Sequence, residues 1–571
     1  MDATEGEGWF YEGTGIYRHV WLTKTAPVRV AQWGTFVESR VQGTAAELSI
    51  STEVENDGEQ EKLCSVISRV LDPEGKTIGT TQSERQNIPP GGSFTFPSHT
   101  SVRDPQLWSL ERPNLYRLIT EALVENAAID QTETTFGIRT IRLDPDRGFF
   151  LNGKPVKIKG TCNHQDHAGV GPALPDRLQY YRIERLQEMG CNGYRTSHNP
   201  PTPELLDACD RLGMLVLDET RMMSSTPEGL SQLDRMMRRD GNHPSIVMWS
   251  LGNEEWFVQG DSRGARMVAD MKRLARKLDP TRPVTLAMNG GWGKGTSAVV
   301  DVQGFNYAGG HNRGADMAKN IDEFHAQFPK QPTVGTETGS DASTRGIYKN
   351  DPEKGYVSAY GVSFPGYTVS TENWWKIYDE REFLAGGFDW TGLRLSRRAV
   401  ALQMAVHQFA LWSDGYLRIS KGQLFLPSGV VGNKARAASF SALELGREGG
   451  AGHRGVVPHE SRPCGAAPER CQPRGKKSEP QFARGVDCEV RAGRAGSTRL
   501  EKWEVVLTEK RETIGALAKL VLRADRTQIA ADGEDVSVLT VEIADAKGLP
   551  QNNIYHMNCF VRCWTCERVQ H

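Results

Sequence analysis

The strongest constraint on the fold of this chain is a pattern that occurs twice: a short apolar run that ends on a glutamate. Ile246–Val247–Met248–Trp249–Ser250–Leu251–Gly252–Asn253–Glu254 is one, and Pro332–Thr333–Val334–Gly335–Thr336–Glu337 is the other. Each is too short for a helix and passes directly into a carboxylate and a polar or glycine-rich loop. Apolar runs of this kind are strands buried on both faces, as in a parallel sheet covered by helices. The acid then stands at a strand's carboxyl end, where a (β/α)8 barrel collects its chemistry. Two such carboxylates on different strands of one barrel suit the hydrolysis of a glycosidic bond.

The rest of the chain fits that reading. From Ile141 the rhythm is strand, loop, helix, with strands expected at Val156–Gly160, Gly193–Thr196, Leu215–Asp218, Ile246–Leu251, Val284–Met288, Val302–Phe305, Thr333–Thr336 and Phe383–Phe388. The second helix is expected to use Thr202 as cap, Pro203 in its first turn, Leu205, Cys209 and Leu212 on one face and Gly213 as stop. The fourth places Met267, Met271, Leu274 and Leu278 on one stripe. Eight strands alternating with helices over residues 141–392 predict the barrel. Before it, Val28–Trp33, Ala46–Val54, Cys64–Leu71, Gly92–Pro97 and Leu115–Val124 are short β runs, separated by turns such as Asn56–Asp57–Gly58 and Pro90–Gly91–Gly92. Residues 23–140 are therefore expected to form an immunoglobulin-like β-sandwich. Gly8–Leu22 reads as the last strand of a further domain. After Gly392 the character changes: Gly446–Arg499 is rich in Gly, Arg, Ala, Pro and Ser. Order is expected again near Trp503, with Leu520–Glu542 alternating like part of another sandwich over 503–550, and 551–571 carries no usable pattern.

Composition limits partners more than it limits folds. A net charge of −2, with no basic tract in the first 390 positions, argues against nucleic acid. No stretch approaches the roughly 20 apolar residues of a membrane helix. Met1–Gly8 shows no signal-peptide core, and an upstream leader is left open, so the compartment is unknown. Six of the ten cysteines lie beyond residue 460, and the Cys563/Cys566 pair lacks a second pair at metal spacing.

Polar residues gather at the carboxyl ends of the expected strands: Asn163, His164 and Asp166; His198 and Asn199; Asp218 and Glu219; Asn253 and Glu254; then Tyr307, Glu337 and Trp390. Singly each has a bland reading, such as a loop cap for a histidine, core for Trp390, or a structural partner for Arg195 or Arg221 in the case of Asp218. Jointly they describe a site. Glycoside hydrolysis needs one protonated carboxyl to donate to the departing oxygen and one carboxylate facing the anomeric carbon. Asn253 can bond a substrate hydroxyl, and Tyr307 can donate to Glu337 and hold it as an anion. His164 and His167 raise the question of a metal, but Asn163 and Asp166 beside them suit sugar hydroxyls. No cofactor or metal is assigned, and a divalent or sodium ion stays open.

GTGIYRHVWL, GFFLNGKPVKIKG, RTSHNPP, HPSIVMWSLGNEE, GTETG and GGFDWTG together resemble glycoside hydrolase family 2, the family of β-galactosidases, β-glucuronidases and β-mannosidases. The resemblance is dense from Gly13 to Gly392. It implies a retaining enzyme built from a jelly-roll domain, an immunoglobulin-like domain and a catalytic (β/α)8 barrel, with a terminal β-linked sugar as substrate and a homo-oligomer as an open question. It further implies Glu254 as acid/base and Glu337 as nucleophile, with His164, His198, Asn253, Tyr307 and Trp390 lining the sugar subsite. Asn163–Asp176 (NHQDHAGVGPALPD) is most similar to β-galactosidase members, with β-glucuronidase the nearest rival and a catalytically dead carbohydrate-binding protein the non-enzymatic one.

Two departures from the family stand out. Residues 1–22 correspond only to the end of the jelly roll, which predicts apolar barrel surface left uncovered. After Gly392 the family continues in the manner of Phe-Asp-Tyr-Arg-Gly-Glu-Pro. Coded as TTC GAT TAT CGC GGC GAG CCG and read one nucleotide early behind a C, this becomes Leu-Arg-Leu-Ser-Arg-Arg-Ala, the string at Leu393–Ala399. The same offset turns Phe-Pro-Lys-Asp-Asn-Phe-Phe-Tyr into the string at Ile419–Leu426. Residues 393–502 thus read as a frame-shifted segment, which predicts a chain with the site's residues but without the native helix behind its eighth strand, poorly folded or weakly active.

Overall fold

The computed structural model describes residues 16–167, 170–220, 222–308, 316–340, 350–353, 356–358, 368–393, 494–501, 504–512, 515–530, 535–549 and 557–562. The chain divides into two compact units, Met1–Ser340 with Gly366–Leu395, and Asp341–Pro365 with Ser396–His571.

The first unit begins with a β-sandwich. Its strands are β1 (Val28–Gln42), β2 (Ala45–Asn56), β3 (Lys62–Leu71), β4 (Thr77–Gln82), β5 (Gln86–Ile88), β6 (Gly92–Arg103), β7 (Tyr116–Val124) and β8 (Ala127–Phe136). One sheet runs β1-β2-β6 and the other β4-β3-β7-β8, with β5 paired to β3. Alternation fills the space between them: Ala46, Leu48 and Ile50 of β2 pack with Val70, Leu118, Tyr116 and Phe136. Strands β4, β5 and β8 were not expected. β8 is AAIDQTETTF and fully buries only Phe136, so it lacks the apolar period that marks a strand. β1 runs past Trp33 because a bulge, where the partners jump from Val30↔Val54 to Thr35↔Thr52, absorbs the break in its pattern.

A small sheet of β9 (Ile141–Asp144), β10 (Gly148–Leu151) and β11 (Lys154–Pro155) leads into the barrel. The barrel strands are β12 (Ile158–Cys162), β13 (Gly193–Arg195), β14 (Leu215–Glu219), β15 (Ile246–Asn253), β16 (Val284–Met288), β17 (Val302–Asn306), β18 (Thr333–Glu337) and β19 (Leu384–Asp389). All are parallel to their neighbours, and β19 closes onto β12 through Ile158↔Gly386 and Gly160↔Phe388. The connections carry α1 (Asp176–Glu188), α2 (Pro203–Leu212), α3 (Pro227–Asp240), α4 (Ser262–Leu278), α5 (Met317–Gln327) and α6 (Thr371–Asp379). A single 3-10 turn, Gly295–Ala298, stands between β16 and β17.

The helix details correct one local reading. α2 starts with Pro203 and stops at Gly213, whose φ of 75° is the left-handed stop that favours glycine. Thr202, however, makes no side-chain cap bond; its hydroxyl accepts from Gln179 Nε2 at 3.2 Å. In α4 the buried positions are Gly264, Val268, Met271 and Ala275, and Met267, Leu274 and Leu278 pack against the same core, partly buried. Residues 16–22 form no strand. Instead Tyr17 Oη donates to Gln165 Oε1 at 2.8 Å, and Arg18 donates to the carbonyls of Pro200 and Pro201 at 2.8 and 3.0 Å.

The sandwich grips the amino ends of the barrel strands. Arg139, buried, donates to the Pro244 and Ile246 carbonyls at 2.5 and 2.6 Å, and Trp108 Nε1 to the Asp210 carbonyl at 2.9 Å. That leaves the opposite rim, where the strands end, free for a site.

In the second unit, β20 (Arg494–Glu501) pairs β21 (Glu504–Glu512), and β22 (Leu517–Ala524), β23 (Val536–Asp545) and β24 (Met557–Arg562) form a sheet in that order. Apart from residue 393 and 494–501, the segment read as frame-shifted lies outside the described residues, as do Arg221 and the Cys563/Cys566 pair.

Closure of the barrel depends on small residues. A methyl group at Gly160 would collide with the ring of Phe388 on the adjacent strand. Gly160→Val is therefore expected to lower stability by about 1–3 kcal/mol through overpacking, read as a lower urea midpoint for the barrel's tryptophan signal.

Candidate active site

The site is assembled around Arg195, the last residue of β13. Its side chain is fully buried, and every donor is used. Nε and Nη2 donate to Glu219 Oε2 at 3.0 and 2.7 Å, Nη1 to Glu337 Oε1 at 2.8 Å, and Nη2 to Asn253 Oδ1 at 2.8 Å. Burial disfavours its charge, but Glu219, Cys162 and Glu337 outweigh that and raise its pKa. Glu219 is buried too; the guanidinium and His198 overcome the desolvation and lower its pKa. Its carboxylate also accepts from His198 Nδ1 at 2.7 Å and from Ser250 Oγ at 2.7 Å.

The two glutamates singled out above occupy different settings. Glu337, at the end of β18, is an ion-pair partner of Arg195, with His198 Nε2 3.8 Å from the same oxygen. Glu254 directly follows β15 and is half-buried; Asn306 Nδ2 donates to its Oε1 at 2.9 Å. Burial raises the Glu254 pKa and the charge of Glu337 raises it further. Hydrogen bonds from Asn306 and Asn289 and the charge of Arg195 oppose the rise without cancelling it, and the result is about 8. The structure thus brings Glu254 and Glu337 close enough to feel each other, with one carboxyl biased to keep its proton and the other bound to a cation.

His164, His198 and Trp390 form an aromatic wall beside them. His198 stacks on Trp390 with centroids 5.4 Å apart at 13°, and His164 meets Trp390 edge-on at 5.1 Å. Asn253 spends its carbonyl on Arg195 and on Asn306 Nδ2 at 3.0 Å, while its buried Nδ2 has no partner among the described residues. Tyr307 follows β17, and its backbone N–H donates to the Glu337 carbonyl at 2.7 Å. Arg195 Nη1 is a donor to the Glu337 carboxylate among the described residues.

Asp218 is not the partner of Arg195. It accepts from Thr196 Oγ1 at 3.2 Å and meets Asp240; burial and Asp240 push its pKa well up. Asn306, which ties Asn253 to Glu254, was missed by the sequence reading. Its signal was available, since it ends β17 as Asn253 ends β15.

Two clusters among the described residues bring His and carboxylate atoms within metal-ligand reach, His19–Asp176–Glu204 and Asp207–Asp210–His243. Neither includes Glu254 or Glu337. Protein groups already hold both: His19 Nε2 is 2.8 Å from Asp176, and Asp210 takes His243 Nδ1 at 2.6 Å and the Ser245 N–H at 3.0 Å. Burial, reinforced by Arg182, lowers the His167 pKa to about 4.

Fold and site together define a (β/α)8 barrel that carries a two-carboxylate centre at the ends of β15 and β18. Comparison with known proteins makes the class specific. The TIM barrel domain of glycosyl hydrolases family 2 matches residues 143–360, and a second domain of the same family matches residues 28–139. The chain belongs to glycoside hydrolase family 2. A Bacteroides ovatus β-galactosidase is 34% identical over 453 residues, covering 68% of this chain and 52% of that protein. A Bacteroides fragilis β-glucuronidase is 29% identical over 409 residues, covering 66% of this chain and 56% of that protein. The crystal structure of a family 2 member from Bacteroides cellulosilyticus superposes with a TM-score of 0.70 at 26% identity, over 96% of this chain and 72% of that one. The chain thus spans little more than half the length of these two sequence relatives.

The Glu254 environment makes a stability prediction. Below about pH 4.5, the ordinary value, the group is protonated in both folded and unfolded chains. Between that value and about 8 the unfolded chain releases the proton and the folded chain keeps it, so this group's share of stability is lost as pH rises. Glu254→Gln removes the effect. Its Tm is expected to match the parent near pH 4.5 and to exceed it by roughly 3–6 °C at pH 8 and above, measured by calorimetry on both proteins.

Proposed function

We propose that this chain is a retaining exo-β-glycosidase acting on terminal β-galactosides, with Glu254 as acid/base and Glu337 as nucleophile. The observation that carries the reading is the pair of coupled glutamates in opposite settings, Glu254 favouring its proton and Glu337 paired with Arg195.

In the first step the Glu254 carboxyl gives its proton to the glycosidic oxygen as the C1–O bond breaks, while a Glu337 oxygen bonds to C1. The ester that forms takes the negative charge from Glu337. The repulsion that raised the Glu254 pKa falls with it, so the newly ionised Glu254 becomes a stable base. It then takes a proton from water as that water attacks C1 and releases Glu337. In this reading Asn253 Nδ2 bonds a sugar hydroxyl and the Trp390–His198–His164 wall packs on the ring, supported by the buried amide and by the ring contacts.

Arg195 is committed to Glu219, Glu337 and Asn253, which a neutral sugar leaves undisturbed. A uronic acid would require a further cation for its C6 carboxylate. β-Glucuronidase is the second reading, supported by the relative of that name that matches a similar share of the chain.

Chromogenic β-galactoside, β-glucuronide and β-mannoside substrates separate these readings. Galactoside turnover is expected to fall above about pH 8 as Glu254 loses its proton. Glu337→Gln is expected to reduce it to background, and Glu254→Gln to slow it about 10²–10⁴-fold, most for poor leaving groups. Faster turnover of the glucuronide would move the assignment to that sugar. Absence of turnover with all three, alongside retained sugar binding, would leave a binding protein.

A further inference from the structure

Beyond Glu254 the chain turns outward and presents two large aromatic side chains to solvent. Trp256 and Phe257 are 66% and 67% exposed, and their rings stack with centroids 3.5 Å apart at 28°. Adjacent exposed aromatics of this size mark a contact surface rather than chance exposure. The turn beneath them is fixed. Trp256 N–H donates to the Glu254 carbonyl at 2.7 Å, and the N–H groups of Val258 and Gln259 donate to the Glu255 carbonyl at 2.9 and 2.8 Å. Gln259 is buried; its Nε2 donates to Asn289 at 2.7 Å, and its carbonyl accepts from Thr296 N–H at 2.8 Å. The aromatic pair is therefore tied to the same framework that sets Glu254.

Chemistry decides what belongs there. An acid that protonates the glycosidic oxygen has the leaving group on its own side of the cleft. The Trp256 and Phe257 side chains supply two flat rings but only one hydrogen-bond donor, the Trp256 indole N–H. A second sugar could stack only through its C–H face and would find one donor, the Trp256 indole N–H, for its hydroxyls, whereas an aromatic ring stacks over both faces and brings no hydroxyl to match.

We infer that Trp256 and Phe257 form the platform for the leaving group, and that this platform selects β-glycosides of aromatic aglycones. The inference deepens the glycosidase reading and rests on Glu254 being the proton donor.

Ethyl and 2-phenylethyl β-D-galactoside have similar alkyl alcohols as leaving groups and differ by one aromatic ring. Titration calorimetry of both against the full chain carrying Glu337→Gln measures binding without turnover, with the matching β-D-glucuronides run in parallel. The phenylethyl glycoside is expected to bind about 5–20-fold more tightly. Adding Trp256→Ala and Phe257→Ala is expected to bring the two affinities within about twofold. As a check that needs no alanine variant, the part of the emission lost in Trp256→Phe is expected to be quenched by acrylamide in the free protein and shielded by the phenylethyl ligand. Equal affinities for the two glycosides, a preference that survives the double alanine variant, or emission already shielded in the free protein would each overturn the platform. The first of these with ethyl glycoside still bound leaves the glycosidase reading standing; failure of every glycoside to bind removes both.

Discussion

One buried guanidinium organises the centre. A cation without solvent is tolerable only when anions and acceptors surround it, and Arg195 satisfies this with two carboxylates, Glu219 and Glu337, and the Asn253 carbonyl. A lysine could not replace it, since three partners approach from fixed directions that only a planar fork of donors meets at once. The balance of charge has a further effect. Two carboxylates on one guanidinium leave the neighbourhood net negative, and Glu254, already disfavoured as an anion by burial, feels Glu337 as one more reason to stay protonated. The Glu337 carboxylate bound to Arg195 therefore helps to keep the neighbouring Glu254 as an acid.

The barrel supplies what this arrangement needs. The interacting groups come from β13, β14, β15, β17 and β18, separated by as many as 142 residues in sequence. Closure by parallel pairing from β12 round to β19 sets the strand ends on one rim, and the sandwich takes the other rim through Arg139 and Trp108. Packing inside is tight enough that glycine is required where Gly160 faces Phe388. The aromatic wall depends on the same closure, since His164 follows β12, His198 follows β13 and Trp390 follows β19.

The two glutamates and all eight barrel strands were legible in the sequence because apolar runs bounded by polar loops are unambiguous when both faces are buried. The partner of Arg195 was harder. Asp218 and Glu219 are adjacent at the end of one strand, and side chains alternate along a strand. Glu219 points to Arg195 inside the barrel, and Asp218 points the other way, towards Asp240 of α3. A count of strand-end acids cannot make that choice, but phase along the strand can. In the sandwich, β8 escaped notice for a related reason: the positions in phase with its buried Phe136 are Thr134 and Thr132, which are not apolar.

Alternation also poses a problem that the site solves by bending the backbone. Asn253 and Glu254 are consecutive, as are Asn306 and Tyr307, so on a regular strand one of each pair would face away from the cleft. Glu254 and Tyr307 instead adopt left-handed φ values of 49° and 47°, a conformation that costs a side-chain-bearing residue about 1–2 kcal/mol. In each case a backbone hydrogen bond to the next strand compensates, Glu254 N–H to the Ala287 carbonyl at 2.8 Å and Tyr307 N–H to the Glu337 carbonyl at 2.7 Å. The bend after β15 lets both members of its pair serve the centre: Asn253 takes Arg195, while Asn306 Nδ2 reaches Asn253 and Glu254 together. Backbone strain at a strand end is an inefficient way to stabilise a barrel, but it is an economical way to put two neighbouring side chains on one side of a substrate. That it recurs at β15 and β17, and that Asn306 joins the two bends, argues that the bends serve the chemistry rather than the fold.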